Sequence, residues 1–255
     1  THLNVDANID ALVNNFDIWH HVPFYKDSLE ISLPISCMVQ GPNNELYIGT
    51  GSDDYAYGTT YGPMSRKGMG LYRYIPSQNK FELIPTTSTT GSDTSFNVIN
   101  CIEVFKDGND FFLYVGTNSG LYRWFVPEGS ENWTASPTAV FAGRVDNIVI
   151  SKPNHTAFFS SGNQLYRIGD VAASTPRAIN ISENNTAFGG SNVALKLAVS
   201  QTDTTFLYVM VINQNGLMDA IYMTNNEQTW YTLTTSTVMP LTNNDGRYCG
   251  ALAVD

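Results

Sequence analysis

Charge is scarce in this chain. Of 255 residues, 14% are Asp, Glu, Lys or Arg; 13 basic side chains face 23 acidic ones, leaving a net charge of −10 and a pI near 4.7. A surface that grips phosphates works through clustered Lys and Arg, which release counterions on binding. Here the basic residues are scattered, so neither nucleic acid nor an anionic membrane is an expected partner. Cysteine is nearly absent. Its three copies, Cys37, Cys101 and Cys249, show no CxxC spacing, and an odd number leaves no complete disulfide framework. Each sits in an apolar run and reads as a buried thiol. No apolar stretch approaches the roughly 20 residues of a membrane-spanning helix, and no signal peptide is visible. The start at Thr1 instead of Met reads as trimming or processing. P-loop, GxSxG and GxGxxG contexts are missing as well. The glycine-rich GSDDYAYGTTYGPMSRKGMG lies between two strand patterns and opens no helix, so it is not a phosphate cradle.

What is present is repetition. In LYVGTNSGLYRWF (Leu113 to Phe125) two alternating apolar runs flank Asn118-Ser119-Gly120. That is a hairpin signal, because Asn and Gly tolerate the positive φ of a tight turn. Copies follow the same plan: LYIGTG with GLYRY (Leu46 to Gly51, Gly70 to Tyr74), AFFSSGNQLYRI (Ala157 to Ile168) and LYVMVINQNGLMDAIYMT (Leu207 to Thr224). Tyr72, Tyr122, Tyr166 and Tyr222 mark the repeat at intervals of 50, 44 and 56 residues. Before each hairpin stands an apolar run (PISCMV, VINCIEVF, VDNIVIS, VALKLAVS), suited to an inner strand buried on both faces. After each stands a more polar run (KFELIP, NWTASPTAVF, PRAINI, TWYTLTT), suited to an outer strand.

Four strands per unit at this period predict an all-β fold, a β-propeller of four-stranded antiparallel blades, in preference to a sandwich. Blades are expected at about 31–85, 94–141, 143–182 and 190–235 of a single 1–255 domain. RYCGALAVD (247–255) reads as one more inner strand, and residues 3–24, including the strand-like FDIWHHVPF, supply its outer partners. That closes five blades; the alternative is that the chain is part of a larger propeller. A fold this long buries about three quarters of its unfolded surface, so the core needs neither disulfide nor metal.

The repeat is broken in one place. Blade two joins its middle strands by Asn118-Ser119-Gly120, whereas blade one inserts Gly51 to Met69, with Tyr55, Tyr57, Tyr61, Met64, Arg66 and Lys67. Long loops inside compact domains are usually functional or disordered. In a propeller this loop shares a face with the connections between blades, here TTSTTGSDTS, SENNTAFGGS and LTNNDGRY. Tyr among Gly, Ser and Asn gives rigid aromatic area with adaptable hydrogen bonding, and aromatic faces also stack on sugars. The expected ligand-binding residues are therefore Asp53, Asp54, Tyr55, Tyr57, Tyr61, Arg66 and Lys67; the rival is a self-packed Ω-loop.

Catalytic chemistry finds less support. A glycosidase needs two carboxylates about 5–9.5 Å apart. Asp53, Asp54, Asp93, Asp146 and Asp245 lie in or near expected loops, but no spacing selects a pair. His20 and His21, adjacent on a strand, point to opposite faces and do not chelate one metal; His2 and His155 have no visible partner. No cofactor is expected. Asp53-Asp54 with backbone carbonyls is a weak candidate for Ca²⁺, since DxDxDG spacing is absent.

Three stretches resemble the sortilin-like and Asp-box propellers, a group that includes secreted glycoside hydrolases of the xyloglucanase type and many Bacteroidota surface proteins. GALAVD resembles their inner-strand consensus, and LYIGTGSDDYAYG…GMGLYRY their hairpin. YMTNNEQTW (Tyr222 to Trp230) resembles a worn Asp-box, Ser-x-Asp-x-Gly-x-Thr-Trp, with Met223 for Ser, Asn225 for Asp and Glu227 for Gly, while Thr229 and Trp230 match. The Asp-box is a turn motif and implies fold, not activity. Sialidases on this scaffold converge three arginines on a carboxylate. Arg73, Arg123 and Arg167 share one repeat position, which spreads them around a ring and points to structural roles. The resemblance implies a secreted or cell-surface protein. The expected function is a non-catalytic propeller binding a protein or glycan through its loop face. The alternatives are a glycoside hydrolase or lyase using loop carboxylates, and a structural domain of a larger surface assembly joined to further domains of a longer polypeptide.

Overall fold

In the computed structural model, the described residues are 24–26, 29–31, 34–51, 68–89, 94–127, 133, 135–183, 188, 192–201, 206–237 and 251–254. Strands β1 (Phe24–Lys26) and β2 (Leu29–Ile31) form a two-stranded antiparallel ribbon. The expected strand FDIWHHVPF lies, but for Phe24, outside the described residues.

Four four-stranded antiparallel sheets follow, each a consecutive meander, as the propeller reading requires. Blade one comprises β3 (Ile35–Gln40), β4 (Leu46–Thr50), β5 (Leu71–Ile75) and β6 (Lys80–Leu83). Blade two comprises β7 (Ile99–Asp107), β8 (Asp110–Thr117), β9 (Gly120–Val126) and β10 (Thr138–Ala142). Blade three is β11 (Asn147–Ser151), β12 (Thr156–Ser161), β13 (Gln164–Ile168) and β14 (Ala178–Asn180). Blade four is β15 (Asn192–Val199), β16 (Leu207–Asn213), β17 (Met218–Thr224) and β18 (Tyr231–Thr235). The inner strands lie side by side in chain order, β3 against β7, β7 against β11, β11 against β15.

The core sits between blades. Tyr47 and Leu71 of blade one pack with Phe111, Leu113, Val115 and Trp133 of blade two. Phe105, Phe112 and Tyr114 of blade two pack with Ile148, Ile150, Phe159 and Val171 of blade three. Phe158 and Leu165 of blade three pack with Leu195, Leu207, Val209 and Val211 of blade four. The far side of blade four, at Ala194, Met210, Ile212 and Met218, is met by Leu252. Buried apolar side chains contribute about 1.5–3 kcal/mol each, so each junction is held chiefly by these layers.

One device recurs in blades one and two. Cys37 faces Gly49 and Cys101 faces Gly116 across the first two strands of their blades. A Cβ on Gly49 would stand 2.6 Å from the Cys37 Sγ, and one on Gly116 2.5 Å from that of Cys101, so each small residue accommodates its thiol. Both cysteines are free, as expected of core thiols; burial pushes Cys37 up to about 11 and raises Cys101 as well. The third, Cys249, lies outside the described residues.

Three expectations need correction. β3 is not buried on both faces: Ile35 and Met38 are 47% and 60% exposed, because among the described residues β3 has an inner-strand neighbour on the β7 side alone. The hairpin at Asn118 does not use positive φ. Thr117 Oγ1 accepts hydrogen bonds from the amides of Ser119 and Gly120, both 3.0 Å, so a side-chain cap tightens the turn instead. Finally, residues 251–254 lie in no strand, since a strand needs a ladder partner and no described residue provides one. The remainder of the expected closing blade, 3–23 and 247–250, lies outside the described residues.

Candidate functional site

The expected binding residues Asp53, Asp54, Tyr55, Tyr57, Tyr61, Arg66 and Lys67 all lie outside the described residues, as do Asp93, Asp245, His2, His20 and His21. The neck from which the insertion leaves and to which it returns is described, and it is tightly built. Thr50 Oγ1 accepts the Met69 amide at 2.9 Å and donates to the Gly70 carbonyl at 2.6 Å. This is the role Thr117 plays in the short turn of blade two, where it also donates to the Gly120 carbonyl. The same threonine clamp therefore closes both the two-residue turn and the long insertion.

Glycines make the neck narrow. Gly51 and Gly70 have φ of +98° and +101°, a region side chains rarely enter. A Cβ on Gly51 would meet the Asn97 carbonyl oxygen at 2.1 Å, and one on Gly68 the Thr50 backbone at 2.5 Å. Gly68 donates to the Asn97 carbonyl (2.7 Å), and Thr89 donates to that of Gly68 (3.1 Å). Asn97 and Thr89 belong to the connection between blades one and two. The insertion therefore emerges on the face that carries the inter-blade connections, as expected. Blade two repeats the arrangement: Gly143 donates to Ser119, and Asn100 bridges Asn118 and the Val145 carbonyl.

Three carboxylates of the described blades are held by structural partners. Asp146, the one described member of the loop set, accepts the Gly162 amide at 2.8 Å and pairs with Arg144. Glu45 accepts the Tyr47 hydroxyl and the Asn43 amide. Hydrogen bonds from Lys80 and Arg73 hold the Glu82 carboxyl below its usual range. Among the described residues no three His, Cys, Asp or Glu side chains come together in a metal-holding group. His155 occupies a left-handed turn position (φ +53°), its ring edge-on to Phe105.

The three repeat arginines serve as staples between blades. Each stands opposite an aromatic residue of the preceding strand: Arg73 opposite Tyr47, Arg123 opposite Tyr114, Arg167 opposite Phe158. Each also reaches the connection between the third and fourth strands of the next blade. Arg73 lies over Trp133 (5.9 Å to the ring centre) while pairing with Glu82. Arg123, 6% exposed, donates to the carbonyls of Val171, Ala173 and Ser174 and lies over Phe112. Arg167 pairs with Glu227, Nε to Oε1 2.9 Å, though the N–H direction leaves this an ion pair and not an aligned hydrogen bond. The structural role expected of these arginines is what the geometry shows.

Glu227 belongs to the turn whose sequence resembles an Asp-box, but the capping residues differ from the expected alignment. Thr224 Oγ1 accepts the amides of Asn226 and Glu227, and Asn226 Oδ1 those of Gln228 and Thr229. Thr224 and Asn226, not Met223 and Asn225, do the capping, because Met223 offers no oxygen. Glu227 does stand where the motif has Gly, at φ +63°, and Trp230 packs edge-on to Phe188 at 4.8 Å.

Beneath this turn, on the face opposite the insertion, a cleft of about 350 Å³ opens between blades three and four. Phe158, Val199, Phe206 and Leu207 give it apolar surface; Ser151, Arg167, Thr224, Asn225 and Glu227 give it polar surface. Burial raises the Glu227 carboxyl against the opposing pull of Arg167. The Ser151 hydroxyl and Arg167 Nε are buried without an aligned partner. Sequence reading missed this cleft. The available signal was Phe158, which replaces the Tyr of LYIGT, LYVGT and LYVMV.

No family model matches the chain, and no curated protein does. Solved structures do, at low identity, and they are β-propeller-like folds. A functionally unknown protein from Desulfotomaculum acetoxidans is 14% identical with a TM-score of 0.48, the match covering 78% of this chain and 55% of that one. A proposed 6-phosphogluconolactonase from Bacteroides uniformis is 13% identical with a TM-score of 0.45, covering 77% and 55%. The extracellular domain of a proposed hybrid two-component system from B. thetaiotaomicron is 16% identical with a TM-score of 0.42, covering 87% and 36%. The chain thus spans about half the length, or less, of these structures. No site residue is carried across from them. Among the described residues no helix is long and apolar enough to cross a membrane.

Proposed function

We propose that this chain is a non-catalytic propeller, secreted or displayed on a cell surface, that binds a protein or glycan through the face carrying the Gly51–Met69 insertion. One observation carries the reading. The insertion is anchored by the same threonine clamp as the two-residue turn of blade two, so the blade bears it without distortion. A loop on a rigid neck, bearing Asp53, Asp54, Tyr55, Tyr57, Tyr61, Arg66 and Lys67, is how scaffolds present contact residues. The structural engagement of Glu45, Glu82 and Asp146 supports binding over glycoside hydrolysis or lyase chemistry. The capped turn at Thr224–Trp230 supports kinship with Asp-box propellers, and through them an extracytoplasmic setting.

The test removes Tyr55 to Lys67 and joins the neck with a short Gly-Ser link. Binding should be lost on a panel of glycans and extracellular protein ectodomains while the unfolding transition stays in place. Unchanged binding by a folded variant refutes the reading. Hydrolysis or elimination products from a polysaccharide panel would refute its non-catalytic part.

A further inference from the structure

The third junction differs from the first two at one equivalent point. At the first, Trp133 fills the space beside the arginine, packed on Tyr47 with ring centres 5.5 Å apart. At the second, the Tyr114 hydroxyl donates to the Val171 carbonyl at 2.7 Å and Arg123 grips the same connection. At the third, Phe158 stands at the tyrosine position without a hydroxyl, and among the described residues Arg167 meets the Glu227 carboxylate of the next blade instead of an indole face or a run of carbonyls. What remains is the cleft, with the Arg167–Glu227 pair at its wall.

We propose that this cleft is a binding site for a neutral saccharide unit, its apolar face on Phe158 and Phe206 and its hydroxyls between Arg167, Asn225 and Glu227. Its volume, about 350 Å³, falls at the small end of ligand pockets. Arg167 and Glu227 cancel in charge, so an ion of either sign meets repulsion along with attraction. A hydroxyl both donates and accepts, which suits a wall that alternates a guanidinium, an amide and a carboxylate. The Ser151 hydroxyl holds unused hydrogen-bonding capacity in the cleft lining, and the Arg167 Nε–H, though ion-paired with Glu227, is not aligned on it; buried polar groups ordinarily find partners. The backbone adds an independent sign. Glu227 is held at φ +63°, where glycine would be relaxed, and such strain concentrates at functional positions.

This site lies on the opposite face from the insertion and stands or falls apart from it. The test is a titration of isotope-labelled protein with methyl glycosides of neutral hexoses and pentoses and with their disaccharides, followed by amide shifts. A sugar from the panel should shift Phe158 and Thr224–Glu227 with a Kd of about 1 mM, the scale for a ligand of a dozen or so heavy atoms. Glu227→Gly keeps the turn and removes the carboxylate, so affinity should drop at least tenfold. Phe158→Tyr restores the hydroxyl of blades one and two, directs it into the cleft and should abolish binding with the fold intact. Deleting Tyr55 to Lys67 should leave these shifts unchanged. No shift with any sugar, shifts confined to other regions, or equal affinity in both variants would overturn the proposal.

Discussion

Replacing Arg123 by Met is expected to destabilise the protein far more than the same change at Arg167, although the two positions are equivalent in the repeat. Arg123 is 6% exposed and donates to three carbonyls of the next blade. Hydrogen bonds from a charged donor contribute about 1.5–3 kcal/mol each. The Val171 carbonyl keeps Tyr114 as a donor, so the uncompensated loss falls on Ala173 and Ser174. Contact with the Phe112 ring adds about 1 kcal/mol. Methionine preserves the apolar stem and removes the desolvation penalty of a buried cation, which offsets part of the loss. The expected net cost is about 2–4 kcal/mol, or roughly 5–15 °C in Tm for a chain of this length. Arg167 is about a third exposed and holds one ion pair; its replacement should cost about 0–1 kcal/mol. Urea unfolding followed by near- and far-ultraviolet circular dichroism measures both. Combining Arg123→Met with Tyr114→Phe leaves the Val171 carbonyl without either donor, so the double variant should lose about 1 kcal/mol more than the sum. Equal costs at the two arginines, or strict additivity with Tyr114→Phe, would refute the staple argument.

The pH dependence follows from Glu103, whose carboxyl burial pushes up to about 7, with Lys152 pulling the other way. Unfolded, it titrates near 4.3, so the folded state binds the extra proton between those values and stability falls as pH rises from about 4.3 to 7. Glu103→Gln should flatten that slope and exceed wild type at pH 8 by about 1–3 kcal/mol; an unchanged pH profile in urea melts would show the group is not responsible. At the neck, Gly51→Ala forces a Cβ against the Asn97 carbonyl at positive φ and should cost about 2–4 kcal/mol. Thermal melts of that variant beside the Tyr55–Lys67 deletion should place the neck, and not the loop, among the stability determinants; a wild-type melt for Gly51→Ala would contradict this.

The blades were legible because two physical signals coincide at each one. Apolar runs such as VINCIEVF and VALKLAVS mark strands covered on both sides, and the LY-G-T pattern marks where the chain turns back. The turn chemistry was less legible. Asn118-Ser119-Gly120 suggests positive φ, but the preceding Thr117 side chain satisfies the turn amides first. At the Asp-box-like turn the pattern fixed Glu227 and Trp230 correctly and misassigned the caps by one residue, because Thr224 takes the Asn226 and Glu227 amides and Asn226 those of Gln228 and Thr229. The cleft was hidden for a different reason. Its lining comes from two blades, and the residue there that departs from the repeat, Phe158 where the other blades have Tyr, is close to Tyr in hydrophobicity. Only the position of its missing hydroxyl relative to the next blade reveals it.

The arginine staples also give the row of blades a direction. Each guanidinium reaches forward, from an earlier blade to a later one, and none of the three reaches back. Loss of a later blade would strand a cation in the one before it, whereas loss of an earlier blade would leave later ones undisturbed at this position. Assembly is thus made dependent in one sense along the blades, like shingles that overlap a single way. At blade four the equivalent residue, opposite Tyr208, is Met223. A thioether asks no polar partner of whatever lies alongside, so the forward reach of the three arginines is not repeated at blade four.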